Sequence, residues 1–235
     1  MIISIHQPDY IPYLGYFYKM SRSDVFVFLD DAQFSNDNMH HWNRIKTPKG
    51  ECRLKVPVEQ HLGDPICAVR TKDELKWKQK HLKTMQMNYA KSKYFHEIFP
   101  EFEAILLREY ASLAGMNIAI NTWLAEKFGF RAKLLKSSDM DIQTVREERV
   151  IDIVKLLGGD TYISGNGARA YQVDAHFAAR GVKLCYTDYT PIRYPQLWPK
   201  TGFLPYMSVM DFVFNCGFDW AYVEKAVEDM QHGDR

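Results

Sequence analysis

Residues 24–30 read Asp24-Val25-Phe26-Val27-Phe28-Leu29-Asp30, five apolar side chains in an unbroken row with a carboxylate at each end. A run of that length, rich in β-branched and aromatic residues and without polar alternation, predicts a strand buried on both faces. Upstream, Met1 to Ser4 predicts a second short apolar strand, closed by Ile5-His6-Gln7-Pro8. Pro8 and Pro12 exclude regular helix between them, and Tyr13 to Met20 suits a helix ended by Ser21 and Ser23. Strand, loop, helix and strand within about 30 residues is the size of a βαβ unit, which implies parallel pairing and a right-handed crossover.

Further along, Asn43 to Thr47 and Cys52 to Val58 predict a hairpin around the turn Pro48-Lys49-Gly50. Residues 73–130 differ in kind, with Leu75, Leu82, Met85 and Tyr89, then Ile105, Leu106, Tyr110 and Leu113, at helical spacing. Pro100 separates two or three helices there, and the segment reads as a helical insert in, or cap on, the α/β core. Alternation then resumes. Arg131 to Leu135 predicts a strand, and Arg146 to Leu157 a helix stopped by Gly158-Gly159. Thr161 to Ser164 is a strand, Gly165-Asn166-Gly167 a tight turn, Ala168 to Arg180 a helix and Val182 to Tyr186 a strand. An irregular segment from Pro191 to Pro205 precedes a helical part beginning at Ser208 to Asn215. The expectation is a single α/β domain over 1–235, with a mostly parallel sheet of about five strands flanked by helices and the insert at 73–130.

Composition agrees. Apolar residues make up 46% and aromatics 14% of the 235, enough for a sizeable core. Thirty basic against twenty-nine acidic side chains give a net charge of +1, which lacks the basic excess of a dedicated nucleic-acid binder and leaves room for a local basic site. The start has no basic n-region or long apolar h-region, and no window approaches ~18 apolar residues, so the expectation is a soluble cytoplasmic protein without membrane insertion. Cys52, Cys67, Cys185 and Cys216 are widely spaced and form no CxxC, so free thiols are expected. No metal is expected either: the adjacent His40 and His41 point apart, no paired ligand spacing accompanies them, and Asp30-Asp31 alone is too common to imply magnesium.

In open parallel sheets, ligands sit just past the carboxyl ends of the strands. That rule collects His6, Gln7 and Asp9 after the first strand and Asp30, Asp31 and Gln33 after the second. It adds Ser164, Gly165, Asn166 and Gly167 after the Thr161 strand, then Asp188 and Tyr189 after the Val182 strand. His6 suits a general acid or base near neutral pH, the alternative being a histidine that bonds a backbone carbonyl. Ser164-Gly165-Asn166-Gly167 could cradle a phosphate or could be an ordinary turn whose glycines supply positive φ. Asn43, Arg44, Lys46 and Lys49 present polar and basic side chains around the hairpin, either for a diphosphate or carboxylate or as a solvated surface. Lys76, Lys78, Lys80, His81 and Lys83 are crowded enough to suggest nucleic acid, but their spacing equally fits the wet face of an amphipathic helix, which is the favoured reading.

IHQPDYIPYLGYFYKM, SDVFVFLDDAQF, NRIKTPKG, KHLKTMQMNYAKSKYF, TYISGNGARAYQ and PQLWPKTGFLPYMSVMDFVFNCG, in that order over residues 1–217, resemble the WbqC-like protein family. That family is usually encoded among genes for bacterial O-antigen and other lipopolysaccharide or surface-polysaccharide biosynthesis, often beside enzymes for nucleotide-linked 4-amino-4,6-dideoxy sugars. The resemblance implies an aminoacyl, specifically glycyl, transferase that forms an amide on the amine of a dTDP-linked sugar. It carries over His6, Asn43 and His81 as catalytic positions. Gln7, Arg44, Lys46, Asn88, Tyr89, Ser164, Gly165, Tyr194, Gln196 and Asp211 follow as substrate-binding ones. His6 would take the amine's proton, Asn43 or the N–H groups near Gly165 would steady an oxyanion, and Arg44 and Lys46 would bind the diphosphate. ATP or an acyl carrier protein's thioester would supply activated glycine, nucleic acid is not a partner, and a homodimer is compatible with the chain. Two other readings stand beside this one: a nucleotidylyl- or adenylyl-transferring enzyme, although His6 to Gly15 lacks HxGH spacing, and a non-catalytic assembly subunit.

Overall fold

A computed structural model describes residues 1–233. Its elements are β1 (Ile2–His6), α1 (Leu14–Ser21), β2 (Val25–Phe28), β3 (Trp42–Thr47), β4 (Gly50–Lys55), β5 (Val58–Glu59) and β6 (Arg70–Thr71). Three helices follow, α2 (Trp77–Tyr89), α3 (Phe95–Leu106) and α4 (Leu113–Lys127). The rest are β7 (Lys133–Lys136), α5 (Arg146–Leu156), β8 (Thr161–Ser164), α6 (Asp174–Ala179), β9 (Lys183–Tyr186), α7 (Val209–Cys216) and α8 (Trp220–Gly233).

The fold is α/β, with a five-stranded, wholly parallel sheet in the order β7-β2-β1-β8-β9. Side chains alternate across a strand, so Val25-Phe26-Val27-Phe28 sends its two valines one way and its two phenylalanines the other. Val25 and Val27 join Ile3 and Ile5 of β1 against Ile151 and Val154 of α5 and Phe177 of α6. Phe26 and Phe28 face the opposite layer, with Phe17 and Met20 of α1 and Phe128 after α4. All four positions of β2 are buried, as the unbroken apolar run requires.

Two chain paths leave the centre of the sheet in opposite directions. From β1 the chain runs through α1 to β2 and on to β7, whereas β8 lies on the other side of β1 and leads out to β9. Helices change face between the two paths, which makes the gap between β1 and β8 the topological switch point, where doubly wound sheets bind ligands. The two strands pair only as far as Ser4 with Ile163, and beyond that the sheet opens.

Residues 73–130 are helical, and they are built into the molecule rather than perched on it. Leu82 and Met85 of α2, Phe102 of α3 and Ile120 and Leu124 of α4 share one core with α1, the β3–β4 hairpin, α7 and α8. Pro100 lies inside α3 and does not divide helices. Burial of Phe95, Ile98, Phe99, Phe102, Ile105 and Leu106 on one face outweighs the backbone bond that proline lacks. The helix expected from Ala168 to Arg180 is also broken, into a 3-10 turn (Asn166–Ala170) and the short α6. At the break the N–H of Val173 donates to Glu147 Oε2 of α5 at 2.9 Å, a partner outside the helix. No helix among the described residues is long and apolar enough to cross a membrane.

Candidate functional site

A cavity of about 920 Å³ lies at the carboxyl ends of β1 and β8, bounded by Ile5, His6 and Gln7 on one side and Ser164, Gly165 and Asn166 on the other. That size suits a drug-sized or nucleotide-sized molecule. Its position is the switch point, where the carboxyl-end rule places ligands. Tyr13, Tyr171, Tyr189 and Tyr206 supply aromatic wall. Gly15 is what allows two of them to approach: a Cβ there would overlap the rings of both Tyr13 and Tyr189. Gly165 and Gly167 are glycines for a different reason. Neither has positive φ, and a Cβ on either would meet no protein atom within 4 Å. The positive φ expected of that turn is absent, and what these glycines preserve is open space in the cavity.

His6 ends β1 with its side chain 36% exposed. Its Nδ1 lies 3.1 Å from the carbonyl of Gln7, which can only accept. The proton of the neutral ring is therefore on Nδ1, and Nε2 keeps a free lone pair. Burial, reinforced by the charge of Lys19, lowers the His6 pKa to about 4, although Asp9 pulls the other way. The ring is neutral at physiological pH. Asp9 stands 3.8 Å from His6 Nδ1 and accepts from His40 Nδ1 at 3.1 Å. Edge-to-face packing on Tyr16, with ring centroids 4.7 Å apart, fixes the plane of the imidazole.

The loop that follows His6 is held carbonyl by carbonyl. Tyr16 OH donates to Gln7 O at 3.2 Å. Asn117 Nδ2 donates to Pro8 O at 2.9 Å, and Asn121 Nδ2 to Asp9 O at 3.1 Å. Asn43 Nδ2 donates to both Tyr10 O (3.1 Å) and Ile11 O (2.9 Å). The clamp holds an unfavourable backbone: Ile11, β-branched and fully buried, has φ of 38°. The task of α4 and β3 is thus to fix the loop carrying His6 and Asp9.

A model of the WbqC-like protein family matches residues 7–222, a span that takes in the clamp, the hairpin and the β8 turn. The chain belongs to the WbqC-like protein family. It is similar to Uncharacterized protein Rv1507c of Mycobacterium tuberculosis, 29% identical over 223 residues, covering 92% of this chain and 94% of that one. No solved structure matches.

Of the positions expected to form the site of this WbqC-like protein, the structure brings His6, Gln7, Ser164 and Gly165 together around the cavity. It places the others elsewhere. Asn43 faces the loop carbonyls and has no donor left for an oxyanion. His81 is buried, its Nδ1 3.0 Å from Tyr10 OH, and burial lowers its pKa to about 4. Arg44 pairs with Glu51 across the hairpin at 3.0 Å, and Lys46 donates its Nζ to Gly202 O at 2.5 Å. Asn88 bonds back to Thr84 O within α2. Tyr89, Tyr194 and Gln196 all donate to the buried carboxylate of Asp211, at 2.6, 2.9 and 2.8 Å. Burial raises the Asp211 pKa, and these donors oppose the rise. The network pins the irregular 191–205 segment against α2 and the hairpin.

Lys19, Arg146, Asn117 and Asn121 were not among the expected residues. Lys19 is a lone cation in the apolar run of α1, and Asn117 and Asn121 are polar residues at i and i+4 in the apolar first part of α4. Those breaks in pattern were the signals. Arg146 opens α5 at φ 57°, exposed on the cavity wall, with no hydrogen-bond or ion-pair partner among the described residues. Among the described residues no three His, Cys, Asp or Glu side chains are grouped to hold a metal.

Proposed function

We propose that the cavity binds a nucleotide-linked amino sugar and that the protein, acting in the cytoplasm, forms an amide on the sugar's amine by aminoacyl, specifically glycyl, transfer. The observation that carries this reading is the 3.1 Å contact of His6 Nδ1 with Gln7 O, which leaves Nε2 unengaged, at the switch-point end of β1, beside a cavity of about 920 Å³. Family membership supports the choice of substrate class. Arg146, without a protein partner, is the natural contact for the diphosphate, in place of Arg44 and Lys46. The space left by Gly165 and Gly167 lets phosphate oxygens approach the backbone, and the tyrosine wall offers the base a stacking surface.

The amine's lone pair attacks the carbonyl carbon of activated glycine, a carrier-protein thioester or an ATP-derived acyl phosphate anhydride. A C–N bond forms while the carbonyl pair moves to oxygen. Its return expels the leaving group with its electron pair, and His6 Nε2 accepts a proton from the nitrogen. Purified protein incubated with a dTDP-linked 4-amino-4,6-dideoxy sugar, glycine and ATP, or with a glycyl carrier-protein thioester, should yield the N-glycyl sugar nucleotide by mass spectrometry. Tight sugar-nucleotide binding without amide formation from either donor would refute transfer and favour an assembly subunit. Pyrophosphate release with nucleotide attached to the product would favour nucleotidylyl transfer.

A further inference from the structure

Amide formation from an ammonium must dispose of two protons, one before nitrogen can attack and one from the tetrahedral adduct. His6 Nε2 provides for one of them. The cavity floor holds a second nitrogen base.

Lys19 of α1 is 3% exposed, and its Nζ donates to Ile5 O at 2.9 Å. That carbonyl lies one residue past the last β1–β8 pair, so the amine sits in the crevice where the sheet opens beneath the cavity. No ion pair holds it among the described residues, and its nearest aromatic contact is the Phe26 ring, 6.0 Å from Nζ to centroid. A bond to Ile5 O uses one of its three hydrogens. A lysine enclosed this way, without a carboxylate partner, is destabilised as a cation and favoured as a free amine. His6 and Asp9 lie on the β1 side, and Arg146, Glu147 and His176 belong to the opposite wall. Burial lowers the Lys19 pKa to about 7, with Asp9 opposing.

We propose that Lys19 is a second catalytic base of the cavity, whose ε-amine takes the proton that converts the substrate's ammonium into a nucleophile. The inference rests on the amide-forming reading above. The ammonium N–H bond breaks towards Nζ, leaving the substrate amine with a lone pair and Lys19 as an ammonium. Attack then proceeds with the second proton passing to His6 Nε2. Lys19 returns its proton to the departing group, His6 releases its proton to solvent, and both bases are regenerated.

Two experiments separate this proposal from its parent. The wild-type protein is treated with pyridoxal phosphate and borohydride at pH 7.5, and the modified lysines are mapped by mass spectrometry. Lys19 should react at least about tenfold faster than the exposed Lys80 and Lys83. Labelling of Lys80 and Lys83 with none at Lys19 overturns the proposal, whatever the protein's activity. Lys19→Arg and Lys19→Met are then assayed for glycyl transfer and thermal stability. Arginine retains the donor to Ile5 O but cannot deprotonate, so transfer should fall about 10²–10⁴-fold in both variants while Lys19→Arg melts close to wild type. Full turnover in a folded Lys19→Arg protein assigns Lys19 to holding the strand end and overturns the proposal. A wild-type protein that makes no amide defeats the parent reading, and the labelling result stands apart from that failure.

Discussion

Replacing Asn43 with alanine should loosen the loop that carries His6, and neighbouring Arg44 supplies the control. In the native protein Asn43 Nδ2 serves Tyr10 O and Ile11 O, while its Oδ1 accepts the N–H of Arg44 at 2.8 Å. Truncation strands two buried carbonyls and one partly buried N–H, each worth about 1–3 kcal/mol when left unsatisfied and about 1 kcal/mol when water can replace the bond. Ile11 then loses the bond to its own carbonyl that helps hold it at φ 38°, and release of about 1–3 kcal/mol of strain lowers the net loss. The expected destabilisation is about 2–5 kcal/mol, a drop in melting temperature of roughly 4–20 °C for a domain of this size. Arg44→Ala removes a half-exposed ion pair with Glu51 and should cost no more than about 1 kcal/mol. Urea and thermal denaturation of both variants test the difference, with sugar-nucleotide affinity read alongside. An Asn43→Ala protein within about 0.5 kcal/mol of wild type would refute the clamp, as would equal losses in the two variants.

His6→Asn keeps a side-chain donor for Gln7 O but removes the free ring nitrogen, so turnover should fall about 10²–10⁴-fold with the melting temperature nearly unchanged; full activity in the folded variant would end the general-base role. Gly165→Val projects into empty space from φ −77°, so stability should stay within about 0.5 kcal/mol while sugar-nucleotide affinity drops at least tenfold in calorimetry. Unchanged affinity would place the ligand elsewhere. His41 and His81 are buried with pKa values lowered from 6.5 to about 4. Below pH 6.5 the unfolded chain therefore binds protons that these histidines refuse in the folded protein, and stability should decline from pH 6.5 towards 4. Denaturation across that range checks the sign. His41→Phe should flatten part of the slope, since neither ring nitrogen of His41 has a partner to lose.

Much of the architecture is local, and local features are legible in a sequence. The unbroken Asp24–Asp30 run, the prolines at 8 and 12 and the glycines at 158 and 159 dictate strand, loop and helix stop by backbone and hydrophobic constraints that act over a few residues. Once parallel strands are recognised, the carboxyl-end rule leads to His6, Gln7, Ser164 and Gly165, all of which line the cavity. What it cannot supply is the direction in which a polar side chain points. Asn43, His81, Tyr89 and Asp211 are polar residues near the right elements, yet they face loop carbonyls and one another. Only tertiary packing decides between those two uses, because the loop carbonyls and side chains they face lie 15 to 122 residues away in the chain. Lys19 shows the same dependence from the other side. Its position in α1 is written in the sequence, but its buried amine at the switch point exists only because β1 and β8, 159 residues apart at Ile2 and Thr161, pair and then diverge above it.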